Sequence, residues 1–191
     1  MSFFLPPPPQ LFIQPDQMIK VQQRLQAERI QDFIVLAPSA AYSLKRWPLK
    51  HWFQLIKLNP AHQFVVLAGP HDDFTAELST LPNVHNFTGQ TTLLESAAMI
   101  QEARAVISND TGLLHFAEQL GRPSIALMGP APFGFPSRPS TRILERDLWC
   151  RPCSKHGQGP CVNPNFQECL KDISPLEVSL TLRTLLAEGH S

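Results

Sequence analysis

The sequence predicts an α/β fold in which a Rossmann-like parallel sheet carries helices on both faces. Unbroken apolar runs, such as residues 33–37 and 64–68, are typical of strands that are buried on both sides. Segments with helical spacing separate these runs, and the two patterns alternate at intervals of roughly 20–30 residues. This alternation indicates βαβ crossovers, and therefore a parallel sheet covered by helices on both faces.

The first half of the chain predicts three pairs of helix and strand. Apolar side chains recur at helical spacing in residues 16–30, and residues 33–37 form an unbroken apolar run. Pro48 suits the first turn of the next helix, and the second buried strand ends at Gly69 and Pro70. In chain order, the predicted elements are helix 16–30, strand 33–37, helix 48–58, strand 64–68, helix 72–81 and strand 84–87.

The second half continues the alternation. Residues 92–103 are amphipathic, with Leu94 and Ile100 on the apolar face, and Ser174 and Pro175 suit the start of the last helix. The predicted elements are helix 92–103, strand 104–108, helix 110–120, strand 123–128, strand 142–146 and helix 174–187. Ligands of such sheets bind beyond the carboxyl ends of the strands, which directs attention to the loops that follow them.

The chain divides into a short leading segment and one domain. Residues 1–15 contain four consecutive prolines, Pro6 to Pro9, which favour an extended, semi-rigid linker or hinge. Residues 16–191 then form a single Rossmann-like domain with a cysteine-rich loop at 148–170. A proline-rich linker at this point suggests that the chain is half of a larger protein.

The composition excludes several classes of protein. Basic and acidic residues number 16 each, so the chain lacks the strongly basic surface of a nucleic-acid-binding protein. No apolar run approaches the roughly 18–20 residues that span a bilayer. The N-terminus also lacks the basic region and cleavage site of a signal peptide. We therefore expect a cytoplasmic protein with no nucleic-acid partner.

The segment from Ser108 to His115 is the most informative motif of the chain. It leads from a predicted strand into a helix that opens with Asp110, Thr111 and Gly112. A helix N-terminus at the carboxyl end of a strand offers backbone N–H groups and a positive dipole end to an anion. Asp110 and Thr111 add groups that bind hydroxyls, which suggests a phosphate-bearing, hydroxyl-rich ligand such as a nucleotide sugar. Alternatively, Asp110 is only the N-cap of the helix and His115 is a core histidine.

A second loop at the same predicted sheet edge carries two cations. Lys45 and Arg46 follow the first buried strand, together with small and hydroxyl-bearing residues, and precede Trp47. Lys45 would meet a phosphate as a point charge, and backbone donors and hydroxyls would complete its binding. The alternative is that both cations are solvated loop charges and that Trp47 belongs to the core.

Five segments in a fixed order carry a family resemblance. They are Lys45 to Pro48, Gly69 to Asp73, Gly89 to Leu93, Asp110 to His115, and Gly129 with Pro130. Together they resemble the C-terminal half of the ADP-heptose:lipopolysaccharide heptosyltransferases, glycosyltransferase family 9. The resemblance covers roughly residues 30 to 180. It implies the GT-B architecture, two Rossmann-like domains facing each other across a cleft, of which this chain would be the nucleotide-sugar-binding domain.

The resemblance also implies roles for individual residues. Lys45 falls on the phosphate-binding lysine, and Asp110 on the aspartate that binds sugar hydroxyls, so these two would act in catalysis. An acidic residue near the ribose would be Asp73, with Asp72 as the alternative, and Thr91 would lie beside the adenine. The full implied binding set is Ser39, Tyr42, Ser43, Lys45, Asp73, Thr91, Asp110, Thr111, Gly112 and His115.

By the same resemblance, the reaction would be an inverting transfer that needs no metal. ADP-heptose would be the donor, and the acceptor would be a lipid-linked glycan, the lipopolysaccharide core. The acceptor site and the general base would lie in an N-terminal half that this chain lacks, as a separate or missing domain. A lipid acceptor would fit peripheral attachment at the inner membrane. The alternative is a non-catalytic module that binds a nucleotide or nucleotide sugar.

All four cysteines fall within the 148–170 segment. Cys150 and Cys153 form a CxxC pair, and Cys161 and Cys169 follow singly. In a cytosolic protein such clustering favours metal ligation over disulfides, and four thiolates would complete a tetrahedral structural zinc site. His156 is a substitute ligand. The alternatives are free thiols in a loop and a redox-active CxxC pair.

Overall fold

A six-stranded parallel sheet forms the centre of the computed structural model, which describes residues 11–131 and 136–188. The strand order is β3-β2-β1-β4-β5-β6, that of a doubly wound Rossmann sheet. The strands are β1 (Ile34–Ala37), β2 (Phe64–Val66), β3 (Val84–Asn86), β4 (Ala105–Asn109), β5 (Ser124–Leu127) and β6 (Thr141–Leu144). All six overlap the predicted strands, which confirms the predicted fold class. The proline run Pro6 to Pro9 lies outside the described residues.

Helices connect the strands and cover the sheet. The α-helices are α1 (Pro15–Ala27), α2 (Leu49–Leu58), α3 (Leu93–Glu102), α4 (Gly112–Gln119), α5 (Glu168–Lys171) and α6 (Pro175–Glu188). Two 3₁₀ helices, Ser43–Lys45 and Asp73–Thr80, lie in loops after β1 and β2.

Several element boundaries differ from the predictions. The predicted short helix after β2 is a 3₁₀ helix, Asp73–Thr80, and α1 ends at Ala27 because Arg29 takes a left-handed conformation, with φ of 57°. The interpretation of Asp110 as an N-cap is wrong: Thr111 is the N-cap, and its hydroxyl accepts the N–H of Leu113 at 3.2 Å.

No helix in the described part of the chain is both long and apolar enough to span a membrane.

Each face of the sheet buries its own hydrophobic cluster. Ile34 and Leu36 of β1 point into the cluster beneath α2 and α6, whereas Val35 points into the cluster beneath α1, α3 and α4. All residues of β1 are buried, as are those of β4 and β5. Burial on both faces explains why apolar residues predominate in these strands and do not alternate with polar ones.

The strand order reverses direction between β1 and β4. β2 and β3 lie on one side of β1, and β4, β5 and β6 lie on the other. The connections after β1 and after β4 therefore run in opposite directions and leave a crevice between them at the carboxyl ends of these strands. Ala37 at the end of β1 is in register with Ser108 of β4. This arrangement is the topological switch point at which open α/β sheets bind ligands.

Candidate functional site

A cleft of about 530 Å³ lies at the switch point. Its walls are the loop after β1, the loop after β2, the start of α3, and the turn between β4 and α4. Seven residues of the predicted binding set line it: Ser39, Lys45, Thr91, Asp110, Thr111, Gly112 and His115. The structure therefore brings together residues from three loops that are distant in the sequence.

Lys45 and Asp110 form an ion pair across the cleft. Both side chains are largely withdrawn from solvent, with 15% of the Lys45 side chain and 6% of the Asp110 side chain exposed. The contact joins Lys45 Nζ to Asp110 Oδ2, an oxygen that is buried and makes no regular hydrogen bond within the described residues. The pair places a cation and a carboxylate side by side, one suited to an anion and the other to a hydroxyl donor.

The N-terminus of α4 opens into the same cleft. Thr111 caps the helix, and Gly112, its first residue, lines the cleft with no atom within 4 Å of the place where a Cβ would lie. The first turn of a helix carries N–H groups without intrahelical partners and the positive end of the helix dipole. Beside Lys45, this helix end provides a second group that attracts an anion.

Asn109 holds the Lys45 loop to the end of β4. Its side-chain carbonyl accepts the backbone N–H of Trp47 at 3.0 Å, and its side-chain amide donates to the carbonyl of Pro38 at 2.7 Å. Asn109 is fully buried, and the Trp47 indole donates to the carbonyl of Ile173. Sequence reasoning missed this residue, although a polar side chain at the end of an apolar strand is a signal for such a role.

Arg46 does not line the cleft. Its Nε donates to the carbonyl of Ala40 at 2.9 Å, its guanidinium lies over the ring of Phe74, and it pairs with Asp72 at 3.4 Å. Asp72 in turn accepts the N–H of Gly69. Of the two neighbouring cations, Lys45 faces the cleft and Arg46 fastens its loop to the segment after β2.

Three residues of the predicted binding set lie elsewhere. The hydroxyl of Tyr42 accepts a hydrogen bond from the side-chain amide of Gln158, and the carbonyl of Ser43 accepts one from the side chain of Gln167. The Tyr42 side chain and the Ser43 backbone thus contact the cysteine-rich loop, and neither residue lines the cleft. Asp73 lines a separate shallow groove on the far side of the 3₁₀ helix that it begins.

Several cleft residues have no counterpart in the predicted set. Ser96 of α3 shares a hydrogen bond of 2.8 Å with the hydroxyl of Thr91, and Leu93 stands exposed at the rim. Alanine and glycine residues leave no sequence signal when they line a cleft through their backbone. The remaining lining residues are Ala40, Ala41, Ala68, Gly69, Pro70 and Leu113.

The four cysteines line one small cavity of about 10 Å³. Between residues 11 and 188, leaving out 132–135, no three histidine, cysteine, aspartate or glutamate side chains are grouped so that they would hold a metal ion. Burial raises the pKa of Cys153 above its ordinary value, and burial raises the pKa of Cys169 to about 11. His156 lies outside the cavity lining.

Curated proteins with similar sequences are lipopolysaccharide heptosyltransferases. Lipopolysaccharide heptosyltransferase 2 of Salmonella typhimurium is 30% identical over 168 residues, which are 81% of this chain and 47% of that protein. The Escherichia coli protein of the same name is 28% identical over 182 residues, 89% of this chain and 51% of the relative. The chain thus spans about half the length of these curated relatives.

Solved structures agree on the fold. The structure of E. coli ADP-heptose lipopolysaccharide heptosyltransferase II matches 98% of this chain and 57% of its own, with a TM-score of 0.77 and 24% identity. A glycosyltransferase family 9 protein from Veillonella parvula matches 94% of this chain and 54% of its own, with a TM-score of 0.76 and 21% identity. The sequence model of glycosyltransferase family 9 (heptosyltransferase) matches residues 6–160. This chain belongs to glycosyltransferase family 9.

Proposed function

We propose that this chain binds a nucleoside-diphosphate sugar, ADP-heptose, as the donor-binding part of a glycosyltransferase. The observation that carries the proposal is the convergence of Lys45, Asp110 and the N-terminus of α4 at the switch point. Family membership supports the reaction class, and the relatives named above are lipopolysaccharide heptosyltransferases.

In the proposed complex, the diphosphate lies between the Lys45 ammonium and the N-terminal amides of α4. These groups are fixed before the ligand arrives, so they stabilise the negative charge that develops on ADP as it leaves. Asp110, which pairs with Lys45 in the free chain, then accepts a hydrogen bond from a sugar hydroxyl. His115, on the first turns of α4, faces the same ligand.

The proposal also includes the acceptor of the sugar. Transfer to the lipopolysaccharide core needs a base that deprotonates the acceptor hydroxyl, and we expect it from the half of the relatives that this chain does not match. Such a lipid-linked acceptor would be met at the cytoplasmic face of the inner membrane, where the chain would attach peripherally. A nucleotide-binding module without transferase activity is the competing function.

Calorimetric titration with ADP, and with UDP and GDP as controls, tests donor binding. We expect ADP to bind preferentially, and Lys45→Ala to weaken ADP binding at least about tenfold, because it removes a charged partner of the phosphates. Lys57→Ala is the matched control, since it removes the same charge from an exposed position on α2 and is expected to bind ADP like the parent. A folded chain that binds none of the three nucleotides would contradict the proposal.

A transfer assay then separates the two functions. The chain is incubated with ADP-heptose and a lipopolysaccharide core acceptor, alone and with the N-terminal half of a family relative. Product in either reaction supports the glycosyltransferase. ADP binding without product in both reactions favours the binding module.

We further propose that the four cysteines hold a structural zinc ion. Two observations support this: all four thiols line one cavity, and four thiolates are a ligand set that zinc prefers. Ligation requires the thiols to draw closer together than they lie in the structure. Metal analysis of the purified chain tests it, with one zinc per chain expected and its loss in Cys153→Ser. Four freely titratable thiols and no bound metal would instead identify free cysteines.

A further inference from the structure

The backbone of Gly157 lies directly against the side chain of Lys45. A Cβ added at residue 157 would lie 2.5 Å from Lys45 Cγ and 2.6 Å from Lys45 Cδ, closer than real Cβ contacts come. Gly157 is buried and has φ of 85°, a conformation that favours glycine. The glycine therefore permits a contact that no other residue type would allow without movement.

The turn that carries Gly157 is held in place at both of its ends. The hydroxyl of Ser154 accepts the N–H of Gly157 at 2.9 Å and donates to the carbonyl of Gln158 at 2.8 Å. The side-chain amide of Gln158 then donates to the Tyr42 hydroxyl. The turn of residues 154–158 is thus closed on itself and bonded to the segment that precedes Lys45.

The cysteine-rich loop makes further contacts with residues 42–45. Gln167 donates its side-chain amide to the carbonyl of Ser43 at 2.8 Å, and Leu44 contributes to the wall of the cysteine cavity. Residues 42–45 therefore contact the cysteine-rich loop through four successive positions, of which Lys45 alone also reaches the cleft.

We propose that Gly157 is a positioning residue for Lys45, and through it for the donor diphosphate; this rests on the proposed function. Lysine is a flexible side chain, and holding it in one conformation costs rotamer entropy. With the stem against Gly157 and the ammonium at Asp110, the chain incurs that cost when it folds, before a ligand binds. Binding is stronger when the contacting group is already in place.

Gly159 supplies a matched control in the same loop. It also has a positive φ, 87°, so alanine is strained at this position as well, but no atom beyond the neighbouring residues lies within 4 Å of the added Cβ. Gly157→Ala and Gly159→Ala therefore differ in whether Lys45 must move.

The experiment measures Lys45 in two independent ways in both variants. The first is the rate at which a trace acylating reagent labels the Lys45 amine, followed by mass spectrometry. The second is the affinity for ADP by calorimetry. For Gly157→Ala we expect faster labelling and an ADP affinity lowered about tenfold, whereas Gly159→Ala keeps the parental values within about twofold. In a Lys45→Ala background, Gly157→Ala is expected to cause no further loss of affinity.

The other outcomes contradict either the positioning role of Gly157 or the proposed function. Parental labelling of Lys45 in Gly157→Ala, or equal changes in the two glycine variants, would overturn the positioning role. Loss of affinity that persists in the Lys45→Ala background would also overturn it, because the effect would not pass through Lys45. Faster labelling in a chain that binds no ADP even as the parent would overturn the proposed function and leave the contact between Gly157 and Lys45 standing.

Discussion

The side-chain carbonyl of Asn109 accepts the backbone N–H of Trp47 at 3.0 Å, which ties the last residue of β4 to the end of the loop that carries Lys45. The amide of the same side chain holds Pro38 at the start of that loop. One buried residue thus closes a loop at both ends, and it does so beside the cleft.

We expect Asn109→Ala to lower the free energy of unfolding by about 2–4 kcal/mol, because it leaves two buried backbone groups without their partner. Urea denaturation measures this. Asn83→Ala is the control: Asn83 donates one side-chain hydrogen bond, to the carbonyl of His62, from a half-buried position. We expect about 1 kcal/mol there, and equal losses at both positions would show that the loop does not depend on Asn109.

Glu95 makes stability depend on acid pH. A hydrogen bond from Lys20 and one from the Thr92 backbone lower the pKa of Glu95 from 4.5 to about 2, outweighing the effect of burial. A carboxyl whose pKa is lower in the folded chain stabilises it above the unfolded pKa, and that stability is lost as pH falls toward the folded pKa. Glu95→Gln is therefore expected to destabilise the chain by roughly 1–3 kcal/mol at pH 7 and by about half of that or less at pH 3.

Urea unfolding of Glu95→Gln at both pH values checks this prediction. Glu28→Gln removes a charge from an exposed pair with Arg24 and serves as the control. A Glu95→Gln deficit that is the same at pH 7 and pH 3 would mean that Glu95 acts through its shape rather than its charge.

Gly89 stands where the loop after β3 passes close to Pro70. Its φ is 69°, and an added Cβ would lie 2.9 Å from the Pro70 Cα. Gly121 has a similar φ of 65° with open space around it. We expect Gly121→Ala to cost about 1 kcal/mol of unfolding free energy, from backbone strain alone, and Gly89→Ala about 2–4 kcal/mol. Thermal or urea unfolding of the two variants measures the effect of the contact with Pro70. Equal losses of unfolding free energy in both variants would show that this contact has no effect on stability.

We expect His115 to contribute to ligand affinity and not to the free energy of unfolding. Its side chain is about half exposed and lies 3.9 Å from a carboxylate oxygen of Glu118. His115→Ala should therefore change unfolding free energy by less than about 0.5 kcal/mol. If His115 contacts the proposed donor, calorimetry will show weaker binding of ADP-heptose. Unchanged affinity would remove His115 from the site.

The fold was predictable because burial of both sheet faces leaves a trace in the sequence. β1, β4 and β5 have no exposed face, so apolar residues predominate in their sequences instead of alternating with polar ones. The short helix α5 left no such trace, since four residues are too few to show a period. The start of α4 was misplaced because Asp110 and Thr111 are adjacent and both are good N-cap residues.

The site was predictable to the level of its loops. The carboxyl ends of parallel strands lie at one edge of a sheet. The alternation of helices and strands therefore predicted that Lys45 and Asp110 lie near each other, as they do. The positions of Tyr42 and Ser43 outside the cleft were not predictable, because the Tyr42 hydroxyl and the Ser43 backbone carbonyl bond to Gln158 and Gln167, the first of which is 116 positions from Tyr42. The role of Asn109 likewise depends on a distant loop.

The ion pair between Lys45 and Asp110 has a consequence for selectivity. A bare anion that draws Lys45 toward itself leaves the buried Asp110 carboxylate without a partner, and an unpaired buried charge is strongly destabilising. A ligand that carries both an anionic group and a hydroxyl replaces each partner of the pair at once. If the cleft binds the proposed donor, we therefore expect sulfate, an anion without a hydroxyl donor, to compete poorly for it, whereas a phosphorylated sugar would supply a partner to both Lys45 and Asp110.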